Sequence, residues 1–477
     1  MTARVKPSMP LDKHEGERPD RVGRGRGFID ALPQPGRGRM GRTSAWGVGL
    51  LVAGLLGTAA PAGAAGLKEA LEGAYANNPD LAAARAELRA VRENLSQAQG
   101  GWLPQVSAKG SATYTDVKTS IVADNLSTKR AALNLSQNLF AGGGTLAEIS
   151  SAESLIARQE SLLADTEQQV LFNTVQVYTA VFRDQKILEA SAENVRRLEQ
   201  QLQATRTRFS VGEATRSDLA QGEARVIGAR ADLAQSRSNL AGSIAAFERY
   251  AGFTPDSLAR APLPDVLPAT LDAAAALIEN NPGLRSLTFR LAQAQADVDV
   301  AAARLLPSLD VEGELSYVDE PSVFTDWERD AAVGVTLTVP LYQRGVAWSR
   351  LRQSRQVVGQ RRQELADFRR QTIQSLRTAF ERLRGAVDQV AYYEEQVQAY
   401  QRALDAVEQE VQIGNRPIID LLDAQQELFG AQVSLERAKR ERTVAAYDIK
   451  SSIGEAGAAD LGLDVAAAVN EGLPDRP

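Results

Sequence analysis

The side chains that most often do chemistry are nearly missing from this chain. Among 477 residues there is no Cys and a single His, His14. If the first 65 residues are removed, as argued below, neither imidazole nor thiol remains. That excludes His-based acid–base catalysis, Ser–His and Cys–His nucleophiles and His/Cys metal sites in one step. Carboxylate and guanidinium groups are left, in two settings. Ser217, Asp218, Arg416, Asp420 and Asp423 follow two tight turns, one at Val211 and Gly212, the other at Ile413 and Gly414. Carboxylates there can cap a helix and offset its dipole, a use that does not exclude a contact with guanidinium groups or cations. Pro417 likewise suits a first helical position. Asp310, Glu312 and Glu314 alternate along one short segment, three charges that would be costly in a core but suit water. The Gly run at 142–144 is a turn signal and not a phosphate loop. Nothing calls for a cofactor or points to catalysis by carboxylates alone, so an enzyme is not expected.

The elements that hold these residues begin after an N-terminal segment of different character. Residues 1–44 mix Arg, Gly and Pro with few apolar side chains, a composition that cannot bury a core. An apolar run at 45–60 follows Arg39 and Arg42 and ends in "APAGAA", which predicts a secretory signal cleaved near Ala64 or Ala65. A membrane anchor is the alternative, but about 16 apolar residues is short for a span. Met40 would begin a signal of ordinary length. Residues 1–65 hold 10 basic and 5 acidic residues, leaving 44 basic and 55 acidic behind, a balance that argues against nucleic acid as a partner. No later apolar run reaches 18 residues, so an exported chain that enters a membrane must do so with β-strands.

The remaining chain repeats itself. Asn77, Asn78 and Pro79 match Asn280, Asn281 and Pro282 at an offset of 203, as Pro104 matches Pro307. "NLFAGG" with Phe140 matches "PLYQRG" with Tyr342, and Gly212 matches Gly414, both at 202. Four matches in order at a near-constant offset indicate a duplicated unit. Each copy predicts a helix, two strands, a very long helix, a tight turn and a second long helix. Residues 145–210 contain no Pro, and Leu188, Val195, Leu198, Leu202 and Phe209 keep coiled-coil spacing. Such a helix would be roughly 100 Å long, and residues 346–412 predict another of similar length. The expected organisation is therefore an N-terminal extension and signal at 1–65, a first repeat at 66–252, a linker at 253–270, a second repeat at 271–453 and a tail at 454–477. Two antiparallel coiled coils serving as a scaffold would account for the helices, but not for the strands.

Strands are predicted at 105–114, 131–140, 308–317 and 331–341. In each, apolar side chains such as Val106, Leu133, Leu315 and Val335 alternate with polar ones such as Ser107, Asn134, Glu314 and Thr336. A soluble sheet on a core shows the same alternation. Three features favour a membrane: hairpin loops of about 12–15 residues at 115–129 and 318–329, aromatic residues (Trp102, Phe140, Trp327, Tyr342, Trp348) at strand ends or in a loop, and the carboxylates of 310–314 on one face. Four strands cannot close a barrel, which needs about eight, so two or three chains must share one. Basic residues crowd the second long helix at Arg350, Arg352, Arg355, Arg361, Arg362, Arg369 and Arg370, best read as a solvated face.

From residue 67 to about 454 the chain resembles the TolC family of outer-membrane efflux and secretion ducts. The resemblance rests on the two "NNP" helix starts, "GWLP" and "RLLP" before the strands, "LFAGG" and "LYQRG" after them, and the two "G…D-L" turns. It implies an α+β membrane protein: a homotrimer with a twelve-stranded barrel in outer-membrane lipid, and long antiparallel coiled-coil helices forming an α-barrel across the periplasm. It also implies docking of the tip turns to a periplasmic adaptor (membrane fusion) protein and an inner-membrane ABC or proton-driven transporter. In such ducts an Asp of the first turn and an Arg of the second help tie neighbouring coils shut. The matching residues are Asp218 and Arg416, with Ser217 at a hydroxyl position of the network. Two Asp of the second turn form charged rings across the entrance, matching Asp420 and Asp423, and rings of this kind favour cations. Val411 stands where the lock can use a Tyr, which removes one hydrogen-bonding arm. The family exports proteins or small toxic compounds, and the "NNP" and "GWLP" pattern resembles its type I secretion branch slightly more. A non-pore structural coiled-coil protein is the alternative.

Overall fold

The computed structural model describes residues 66–464, apart from 119, 122 and 256. The expected signal and the end of the tail lie outside the described residues. Helix α1 (Leu67–Asn77) stops at Asn78, whose Oδ1 accepts the Asp80 amide at 2.9 Å, and α2 (Pro79–Gln99) starts with Pro79 at its first position. The second repeat starts likewise. There α5 (Leu271–Leu277) passes through a 3₁₀ turn to Asn281, which caps α6 (Pro282–Ala303) by accepting the Leu284 amide at 3.1 Å. Both "NNP" sequences thus interrupt a helix and restart it.

Strands β1 (Gln105–Lys118), β2 (Ala123–Ala141), β3 (Ser308–Ser322) and β4 (Thr325–Thr338) form one antiparallel sheet in that order. Its register aligns the apolar positions in rows, Val106–Leu135–Gly313–Val333 and Ala108–Leu133–Leu315–Ala331. The opposite face carries rows such as Gln105–Ser136–Glu312 and Asn138–Asp310–Thr336. Much of the apolar face is bare among the described residues: Val333 is 85% and Leu337 63% exposed. In lipid each such side chain would contribute roughly 1.5–3 kcal/mol.

The loops expected at 115–129 and 318–329 are instead mostly strand, and the connections shrink to 119–122 and 323–324. Backbone pairing continues outward into segments rich in Asp116, Asp124, Asp319 and Glu328. Once both faces meet water the period-two pattern disappears, although the ladder does not. The fourth strand ends at Thr338 and not at 341. Pro340, just beyond, cannot donate to a ladder.

Helices α3 (Gly144–Ser210) and α7 (Val346–Gln412) each run 67 residues, roughly 100 Å at 1.5 Å per residue. Each folds back through a tight turn into α4 (Arg216–Ala251) or α8 (Ile418–Ser452). Helices α2, α3, α6 and α7 lie side by side in that order and make a wall below the sheet. Midway along, Leu171, Val175 and Tyr178 of α3 pack with Phe247 of α4, Leu258 and Ala261 of the linker, and Leu463 of the tail. The Tyr178 hydroxyl donates to the Ala259 carbonyl at 2.8 Å, and burial pushes its pKa up to about 12. Among the described residues no helix is long and apolar enough to cross a membrane.

Candidate functional site: the helical tip

The two turns far from the sheet have the same backbone. Gly212 (φ +84°) and Gly414 (φ +77°) take the left-handed conformation that ends a helix. Gly212 N donates to Phe209 O at 3.1 Å and Glu213 N to Arg208 O at 2.8 Å; Gly414 N donates to Val411 O at 3.2 Å and Asn415 N to Glu410 O at 2.9 Å. This paired closure satisfies carbonyls that a helix end leaves open. Val211, Gly212, Ile413 and Gly414 are all exposed at the tip.

Asp218 and Asp420 occupy equivalent positions 202 residues apart, yet their carboxylates are used differently. Asp218 closes a capping box: its Oδ2 accepts the Thr215 amide at 2.8 Å, and Thr215 Oγ1 accepts the Asp218 amide at 3.1 Å. At the matching cap stands Pro417, which has neither hydroxyl nor N–H, so Asp420 is released from that duty. Asp420 lies 3.4 Å from Arg416 Nε, which also lies 3.2 Å from Glu410. Both pairs are close to half exposed, and each contributes on the order of 1 kcal/mol or less. Within the chain, and among the described residues, Asp218 and Arg416 do not touch. Ser217 is exposed beside them.

Asp423 is paired with Arg225 of α4, across from one coiled coil to the other. Its neighbours Leu421 and Leu422 divide between the coils. Leu421 packs with Leu404, Val407 and Val411 of its own coil, whereas Leu422 packs with Val195, Leu198, Leu202 and Val226 of the first. Val411, 3% exposed, fills the core of the second coil and takes no part in a polar network. Sequence reasoning missed Arg225, Glu410 and Leu422. The Thr215-x-x-Asp218 capping box was readable from its spacing; a partner 198 residues away has no local signal.

On the sheet, Asp310, Glu312 and Glu314 share the polar face. Asn138 Nδ2 donates to Asp310 at 2.7 Å, and Arg130 pairs with Glu314 at 2.7 Å. Among the described residues no group of acidic side chains is gathered to hold a metal ion within one chain.

A sheet with a bare apolar face on top of two coiled coils about 100 Å long defines an outer-membrane channel-tunnel. The family described as "Outer membrane efflux protein" matches residues 70–252 and 274–455, one stretch in each repeat. The chain belongs to this family. It is 31% identical over 411 residues to the outer membrane efflux protein BepC of Brucella suis, covering 85% of this chain and 89% of that one. It is 26% identical over 429 residues to the outer membrane protein TolC of Vibrio cholerae, covering 88% and 97%. Among solved structures, the CmeC outer membrane channel of Campylobacter jejuni aligns with a TM-score of 0.74 at 18% identity, over 85% of this chain and 88% of that one. The protein is an export channel of the outer membrane whose helical tunnel lies in the periplasm, and the family's members are channels rather than enzymes.

Proposed function

We propose that three copies of the chain share one twelve-stranded barrel and one helical tunnel, closed at the tip and opened by a periplasmic adaptor and an inner-membrane transporter. The observation that carries this reading is the sheet: four strands, an apolar outer face, and two edges, β1 and β4, without a partner among the described residues. In hydrocarbon each unpaired backbone group costs several kcal/mol, so β4 of one copy must pair with β1 of the next until the ring closes. Counting chains in the detergent-solubilised particle by native mass spectrometry tests it. Three chains are expected; a stable monomer would overturn the reading.

At the tip, Asp218 of one copy and Arg416 of the next form the lock, with Ser217 beside them, and Asp420 and Asp423 supply the carboxylates that face the entrance. Arg416 can leave Glu410 and Asp420 cheaply because those pairs are exposed. The exposed turns at Val211, Gly212, Ile413 and Gly414 are the adaptor's docking points. The polar sheet face with Asp310, Glu312 and Glu314 lines the water-filled lumen. Asp218→Ala or Arg416→Ala should admit large antibiotics into cells; unchanged permeability would remove the lock.

A further inference from the structure

We infer that the first turns of α7 form a basic collar that binds the anionic headgroups of the phospholipid leaflet on the periplasmic side of the membrane. The inference rests on the sheet lying in lipid. Below β4 the apolar surface continues through Leu341 (93% exposed) and Tyr342 to Trp348 (59%). Trp348, Arg352 and Arg355 then follow at i, i+4 and i+7, one exposed stripe of α7, while Ala347, Leu351 and Val358 are buried on another side. The backbone positions of the two arginines lie about 6 and 10 Å along the axis from Trp348, close to the depth of a headgroup layer below an interfacial Trp.

Direction supports the same reading. Side chains on a helix tilt toward its N-terminus, and α7 begins at the sheet, so Arg352 and Arg355 reach back toward the bilayer as snorkelling cations do. Neither has an ion-pair partner among the described residues. Farther down the same helix Arg361, Arg369 and Arg370 meet Glu364, Glu279 and Asp367, while Arg362, like Arg352 and Arg355, has no ion pair among the described residues. The first repeat carries Leu146, Ser150 and Glu153 at the matching positions, so at this height α7 has an aromatic anchor and two cations that α3 lacks. Unpaired cations beside an aromatic belt, in a chain that is acidic overall, have their complement in a negatively charged lipid surface.

The test uses the assembled protein in phosphatidylcholine bilayers with spin-labelled lipids, reading the lipid fraction held at the protein surface. The native chain should prefer the phosphatidylglycerol label over the phosphatidylcholine label by roughly two- to fivefold. Arg352→Gln with Arg355→Gln should bring the ratio close to one, and Arg352→Lys with Arg355→Lys should keep it, showing that charge and not folding is lost. Equal binding of both labels by the native chain, or an undiminished preference in the Gln variant, would overturn the collar. No immobilised lipid of either kind would overturn the collar together with the placement of the sheet.

Discussion

Arg225 on α4 holds the carboxylate of Asp423 on α8. This contact joins the two coiled coils near the tip turns, and it gives a carboxylate one turn from Asp420 a private counter-charge. The pair is part exposed and adds on the order of 1 kcal/mol or less to stability, so its main effect is on the local field around Asp423, at the proposed entrance. Asp423→Asn should change the block of single-channel current by trivalent cations little, whereas Asp420→Asn should remove most of it. Arg225→Gln should strengthen the block by freeing Asp423. Equal loss in the two Asn variants would show that Arg225 does not shield Asp423.

Leu422 is the apolar counterpart of that contact. It leaves α8 to sit among Val195, Leu198 and Leu202 and is 2% exposed. Leu422→Ala should cost about 2–5 kcal/mol and loosen the first coil from the second. Trypsin should then cut the residues around 211–219 and 413–423 faster than in the native chain. Leu421→Ala, confined to its own coil, should loosen the second hairpin without separating the two.

Two glycines with similar dihedrals make different demands. At Gly212 (φ +84°) an added Cβ meets open space, and Ala should cost only the left-handed penalty of roughly 1 kcal/mol. At Gly454 (φ +84°) it would lie 2.5 Å from the Asn280 carbonyl oxygen. Gly454→Ala must push the end of α8 off the second "NNP" break, where Asn281 Nδ2 donates to Ser452 O at 3.1 Å. Thermal unfolding should rank Gly454→Ala far below Gly212→Ala.

Asp448 on α8 is partly buried, and desolvation raises its pKa, with Arg382 pulling the other way and Glu441 adding to the rise. A carboxyl whose folded pKa exceeds its unfolded value binds protons more tightly when folded, so its cost grows as pH rises through that window. Asp448→Asn should therefore stabilise the protein at pH 7. The gain should shrink as pH falls toward the ordinary aspartate value of about 3.9. Paired melting curves at pH 7 and pH 4 measure it.

The rods and their ends were legible because Pro-free amphipathic runs and Gly turns are local signals; α3 and α7 begin and end within a residue or so of where spacing placed them. The apolar faces of the strands were legible for the same reason. Their outer halves were not, since Asp116, Asp124, Asp319 and Glu328 sit in a ladder that no longer separates lipid from water. The tip was half legible. Asp218 and Asp420 announce helix starts, but nothing local separates a carboxylate committed to Thr215 from one freed by Pro417, and nothing ties Asp423 to Arg225.

That the outer edges of β1 and β4 have no strand partner among the described residues has a consequence for biogenesis. A lone subunit cannot keep its hairpins in hydrocarbon, because β1 and β4 would each present a ladder of unmet donors and acceptors to the acyl chains. In the proposed three-copy barrel, membrane insertion and stoichiometry are therefore one event, because the wall becomes stable in the bilayer only when the last seam zips.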